Sequence, residues 1–148
     1  RPCGRPFAVM LGSAEQAPAS LAEIYDQLQD GVLWVSAEHS STSVYGTHGN
    51  AVCRLFHDLG HALYSLEFTT DHEIELAWRQ LNDLIELGMR EPLQQHVFLA
   101  DSMGQSMYEA ECGRFPANQC MFVLESIQAG KYSPWLEGAQ GVVWEAFV

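Results

Sequence analysis

Residues 57–61 read His57-Asp58-Leu59-Gly60-His61 and place two imidazoles and a carboxylate within five positions. In a helix, residues four apart lie on one face, so His57 and His61 point the same way. Nitrogen and carboxylate oxygen donors in that arrangement suit a borderline or hard divalent cation: Zn, Mn, Fe, Co or Ni. Five of the six histidines fall between His39 and His72, which concentrates ligand chemistry in one part of the chain. His39, His48 and His61 are all candidates for the imidazole that completes a site with His57 and Asp58. The competing explanation is a helix whose solvated face happens to carry two histidines and an aspartate.

The helix that must position these groups runs from Asn50 to about Leu66. At about 100° per residue, Val52, Leu55, Phe56, Leu59, Leu63 and Leu66 gather on one side. Asn50, Arg54, His57, His61 and Tyr64 gather on the other, with Asp58 at the border. A second helix starts at Thr70-Asp71-His72-Glu73 and stops at Gly88. On it, Glu75 shares a solvated face with Arg79, Asn82 and Glu86. Glu73 instead heads the face bearing Leu76, Ala77, Leu81 and Leu84, where a carboxylate is costly unless it is paired or bound to metal. Capping of the helix N-terminus is the ordinary alternative for Glu73.

A third helix has Pro92 in its first turn and runs to Cys112, ahead of Gly113. It is apolar on both sides, through Leu99, Met103, Met107 and Ala110 on one and Val97, Phe98, Gly104, Tyr108 and Cys112 on the other. Asp101 in its middle therefore needs a strong partner, either a cation or a hydrogen-bonding side chain. Gln105 and Tyr108, with Glu109, lie near the same side and are placed to orient metal ligands. Ser20-Leu21-Ala22-Glu23 is a capping box that opens a helix ending at Gly31. Pro116 opens a last helix ending near Gly130. Residues 1–17 read as irregular, Val32–Val35 as a β-rich run too short to imply a sheet, and 36–49 as a polar loop. The closing residues, with Trp135 and Trp144, read as a short packed tail. The expectation is an all-α, single-domain bundle of about five helices over 1–148, with an irregular N-terminal segment and a metal-site core over 50–130.

Composition narrows the function classes. The chain has 148 residues, long enough for one core, and 47 % of them are hydrophobic. It carries 19 acidic against 7 basic residues, a net charge of −12, and the bases are scattered. Without a basic stripe, nucleic-acid groove binding is not expected. No apolar run reaches the ~18 residues of a membrane span. Cys3, Cys53, Cys112 and Cys120 show neither a CxxC pair nor a disulfide framework, so reduced thiols and a cytoplasmic location are expected. The opening residues do not read as a signal peptide. A homo-oligomer is compatible with this composition.

Leu55-Phe56-His57-Asp58-Leu59-Gly60-His61 resembles the central motif of the HD-domain superfamily, in which an upstream His precedes a His-Asp pair and a distant Asp follows. His57 and Asp58 match the pair. Asp101, in Leu99-Ala100-Asp101-Ser102-Met103, is similar in context to the distant Asp. The resemblance implies an HD-like all-α fold, one or two divalent metals, and hydrolysis of phosphate esters, nucleotides included. The chain departs from the pattern upstream, where only His39 and His48 precede the pair, in a loop-like stretch. A second resemblance, from Arg54 to about Phe122, is to small uncharacterised proteins of tailed phages and prophages. It runs through Arg54, His57, Asp58, His61, Phe68, Glu73, Asp101, Gly104-Gln105, Tyr108 and Gly113-Arg114-Phe115-Pro116-Ala117-Asn118-Gln119. It implies a phage origin and a site built from these residues, and it favours His61 and Glu73 over an upstream His.

The leading expectation is a divalent-metal-dependent phosphohydrolase acting on a nucleotide or other small phosphoester. His57, Asp58, His61 and Asp101 are the expected metal ligands. Asp58, Glu73 and Arg54 are the expected catalytic groups, with Arg54 pairing with phosphate one turn before His57. A zincin-like metallohydrolase with His57, His61 and Glu73 on zinc is a lesser alternative. The reading from another class is a non-catalytic phage structural or host-interaction protein with a structural metal or none.

Overall fold

A computed structural model describes residues 6–130. The chain divides into two compact units, Arg1–Leu76 and Ala77–Val148. The expected tail with Trp135 and Trp144, and Cys3, lie outside the described residues.

The first unit opens with strand β1 (Ala8–Gly12), helix α1 (Leu21–Gln29) and strand β2 (Val32–Ser36). The strands pair in parallel from Ala8 opposite Val32 to Gly12 opposite Ser36. The fold is mainly helical as expected, and this small sheet is its addition. It lies partly in the stretch read as irregular. Parallel strands need a crossover connection, and α1 is that crossover. In β2, Leu33 and Val35 are buried while Val32, Trp34 and Ser36 alternate with them, the pattern of a strand with one face on a core. Most of β1 is exposed, so its pairing rests on backbone bonds, with Ala8 N–H to Gly31 O at 2.8 Å and Ala37 N–H to Gly12 O at 2.9 Å closing the two ends.

Helix α1 begins as its sequence directs. Ser20 Oγ accepts from Glu23 N–H at 3.3 Å, and the Glu23 carboxylate accepts from Ala19 N–H at 2.8 Å. Its apolar face supplies Ile24 and Leu28 to a core with Leu33 and Ala62, onto which Tyr25, Leu55, Leu59 and Phe68 pack. Full burial of Ile24 and Leu33 contributes roughly 1.5–3 kcal/mol each.

Helix α2 spans Gly46–Tyr64, one turn longer at its start than its sequence indicates. Its burial departs from the simple two-faced reading. Asn50, Asp58, Gly60, His61 and Ala62 are buried, whereas Val52 and Leu63 are 53 % and 64 % exposed. The polar face is thus largely an inward one. Helix α3 (Thr70–Glu86) follows after a short connection.

In the second unit, α4 (Pro92–Leu99) runs into a π-helical turn (Ala100–Gly104) and on into α5 (Gln105–Cys112) as one continuous segment. Gly113, at φ 68°, ends it in the left-handed conformation that glycine adopts most easily. Helix α6 (Gln119–Ala129) starts at Asn118, whose side chain accepts from Met121 N–H at 3.0 Å, and ends at Gly130. Among the described residues, no helix is long and apolar enough to cross a membrane. Cys53, Cys112 and Cys120 are thiols rather than half-cystines.

Candidate metal centre

Three side chains bring one ligand atom each to a common point: His57, His61 and Glu73. The two histidines come from successive turns of α2, and Glu73 from the first turn of α3. His57 Nε2 lies 2.8 Å from Glu73 Oε2, His61 Nε2 lies 3.2 Å from Glu73 Oε1, and the two Nε2 atoms are 3.3 Å apart.

The far nitrogen of each ring is already engaged. His61 Nδ1 is 2.9 Å from the Leu66 carbonyl oxygen, which can only accept, so Nδ1 carries a hydrogen, and in the neutral ring Nε2 presents a lone pair. His57 Nδ1 is 3.3 Å from Asp58 Oδ1 and donates to it. An imidazole whose Nδ1–H is held by an oxygen is the usual condition of a metal-binding histidine, because it fixes tautomer and ring direction. Acceptor atoms from His61 and Glu73 therefore face each other at 3.2 Å with His57 Nε2 alongside. Such a cluster requires positive charge at its centre, as a proton or as a cation.

The spacing fits a cation. Two nitrogens 3.3 Å apart, each about 2.0–2.1 Å from one ion, would subtend about 105–110° at it, while the 2.8 Å contact of His57 Nε2 with Glu73 Oε2 would have to open for the carboxylate to join them. Without a cation, the proton takes the place on His57. Burial alone would lower the His57 pKa, but its hydrogen bonds to Asp58 and Glu73, and their charges, raise it from 6.5 to about 9. Burial likewise would raise Glu73, but the hydrogen bond from His57 and the charge of that ring, with His61 beside it, lower it from 4.5 to about 2. The two shifts describe one interaction, a proton held between imidazole and carboxylate.

Aromatic packing fixes the rings further. Phe68 stacks on His61 at 4.1 Å between centroids and 11° between planes, and meets His57 edge-on at 6.1 Å. His61 is fully buried, whereas the His57 side chain is 32 % exposed, so solvent reaches the cluster from the His57 side.

The other expected residues take different places. Asp58, one position after His57, is turned about 100° around the helix and meets His57 from the Nδ1 side of the ring. Asp101 lies in the π-helical turn of the second unit, where its Oδ1 accepts from Gln105 Nε2 at 2.7 Å. Gln105 is buried and positions that carboxylate. Tyr108 packs edge-on against Phe122 at 5.5 Å. Arg54 Nη1 donates to Ser36 O at 2.8 Å, tying α2 to the end of β2. His39 and His48 are exposed, and neither belongs to the three-residue group. Glu73 is expected both as a catalytic group and, in the zincin-like alternative, as a zinc ligand, and its position beside the two imidazoles is one from which it could hold a metal ion.

No protein-family description, no curated protein and no solved structure matches this chain.

Proposed function

We propose that this protein is a divalent-cation-dependent hydrolase whose cation is held by His57 Nε2, His61 Nε2 and the Glu73 carboxylate. The observation that carries this reading is the convergence of three donors, two of them imidazoles already locked through their far nitrogens. Three protein donors leave a coordination position for water or substrate, and the exposed flank of His57 is where it would open. When bound, the cation lowers the pKa of its water and polarises a substrate oxygen.

The residues supply the rest. His61 and Glu73 anchor the site, Asp58 keeps the Nδ1–H of His57 engaged, and Phe68 keeps the rings in place. The donor set coincides with that of the zincin-like alternative. The Asp58 carboxylate, however, lies against Nδ1 of His57, which suits it to orientation rather than to deprotonating a water beside Nε2. A phosphoester, such as a nucleotide, is the substrate class proposed, on the resemblance of His57-Asp58 to HD-domain hydrolases.

A second reading is a metal that only stabilises the fold. Full burial of His61, with its ring stacked on Phe68, favours it, because the cluster also fastens the end of α2 to the start of α3.

The test is elemental analysis of purified protein and of His61→Ala, followed by assays of nucleotides and of p-nitrophenyl phosphate with added Zn, Mn, Co or Ni. About one ion per chain, lost in the variant and required for hydrolysis, supports the enzyme. A bound ion with no turnover supports the structural reading, and no bound ion rejects both.

A further inference from the structure

The end of α2 and the ligand His61 are built as one unit. Helix α2 stops at Ser65, a non-glycine residue in the left-handed conformation with φ 56° and ψ 45°. That turn brings Leu66 N–H back to His61 O at 3.1 Å. The same turn brings Leu66 O back onto His61 Nδ1 at 2.9 Å. Residues 61 and 66 thus exchange two hydrogen bonds, one through the backbone and one through the imidazole. The first is the ordinary closure of a helix C-terminus. The second determines which nitrogen of the ring carries its hydrogen.

Helix α1 supports this turn. The Tyr25 hydroxyl donates to Ala62 O at 3.1 Å and, with its own hydrogen committed there, accepts from Ser65 Oγ at 3.3 Å. Tyr25 also packs on the core that contains Ala62. Leu66 is itself buried, so its carbonyl is held rather than free to turn to water.

We propose that Ser65 is a positioning residue of the metal centre, and that Tyr25 supports it. By holding the left-handed turn, Ser65 aims the Leu66 carbonyl at Nδ1 of His61 and so presents Nε2 to the cation as a lone pair. This rests on the reading of His57, His61 and Glu73 as a cation site. Neither Ser65 nor Tyr25 touches the cation. A β-branched residue at position 65 disfavours the left-handed turn, whereas glycine adopts it without strain.

The experiment uses the full chain, zinc as probe, and nitrogen-15 NMR of the histidine rings. In the metal-free protein, His61 carries its hydrogen on Nδ1. Ser65→Val mixes the two tautomers and weakens zinc binding about 10–100-fold, the range for residues that orient a ligand. Ser65→Gly, the conservative replacement for this turn, restores both the tautomer and the affinity. A folded Ser65→Val with native tautomer and native affinity overturns the proposal, as does a hydrogen on Nε2 of His61 in the native protein. Where Ser65→Val does not fold, Tyr25→Phe carries the test. Weakened zinc binding with mixed tautomers supports the proposal, and unchanged binding overturns it. Failure of the native protein to bind zinc, Mn, Co or Ni rejects the metal reading itself, a result distinct from any of these.

Discussion

Replacing Glu73 by Gln keeps the shape of the side chain and removes its charge, so it separates the cluster's two states. In the metal-free protein Glu73 Oε2 accepts from His57 Nε2 at 2.8 Å in a mostly buried setting. A hydrogen bond between charged partners contributes roughly 1.5–3 kcal/mol. For a chain of this length, 1 kcal/mol corresponds to about 3 °C in melting temperature, so the metal-free variant melts roughly 5–9 °C lower. The cation's effect is read on top of that. At a free cation concentration 100 times Kd, binding stabilises the folded state by about 2.7 kcal/mol. If the neutral amide weakens binding about 100-fold, the same concentration stabilises the variant by only about 0.4 kcal/mol. The cation-induced rise of roughly 8 °C in the native protein thus shrinks to about 1 °C. Scanning calorimetry with and without zinc, after chelator treatment and dialysis, measures both quantities. A Glu73→Gln variant that keeps the full cation-induced rise refutes the assignment of Glu73 as a ligand.

Three further outcomes follow from the same geometry. In the metal-free protein the His57 pKa of about 9 lies above its ordinary 6.5, so its contribution is complete below about 6.5 and disappears as pH rises through 9. Glu73, near 2 against an ordinary 4.5, contributes fully above about 4.5 and loses its contribution as pH falls through 2. The melting-temperature gap between native protein and Glu73→Gln is therefore widest near pH 4.5–6.5, and a gap that does not change up to pH 10 contradicts the pairing. Asp101→Asn leaves metal stoichiometry unchanged, since the three-donor group does not include it; loss of metal on elemental analysis would restore Asp101 as a ligand. Leu33→Ala, at a fully buried position, destabilises the metal-free protein by about 2–5 kcal/mol in denaturant titration, and a change below 1 kcal/mol contradicts the packing of the first core.

Helix ends were the most legible part of the sequence. Ser20, Pro92, Gly113 and Gly130 act through local chemistry, as a side-chain cap, a fixed φ or a left-handed residue, and each sits where that chemistry places it, whereas the last helix starts at Gln119, capped by Asn118, rather than at Pro116. Strand β1 was not legible, because Ala8–Gly12 shows no alternation and its pairing comes from the backbone of β2. The π-helical turn at Asp101 also leaves no trace in hydrophobic periodicity.

The centre was half visible. The spacing of His57 and His61 gave the shared helix face, and the apolar company of Glu73 marked it as a carboxylate in need of a partner. Periodicity separated the two faces without showing which of them turns inward. Here the imidazoles turn inward to meet a carboxylate from the next helix, and Val52 and Leu63 take the solvent. Asp58 illustrates a limit of adjacency. Its place in the chain is next to His57, yet one step along a helix turns it to the other side of the ring.

X-ray absorption at the edge of the bound metal reads the donor set itself. With His57, His61 and Glu73 as ligands, the spectrum shows two imidazole nitrogens about 2.0–2.1 Å from the ion and a carboxylate oxygen beside them, with one nitrogen lost in His61→Ala. A shell of oxygen donors alone, or one unchanged in that variant, would contradict it.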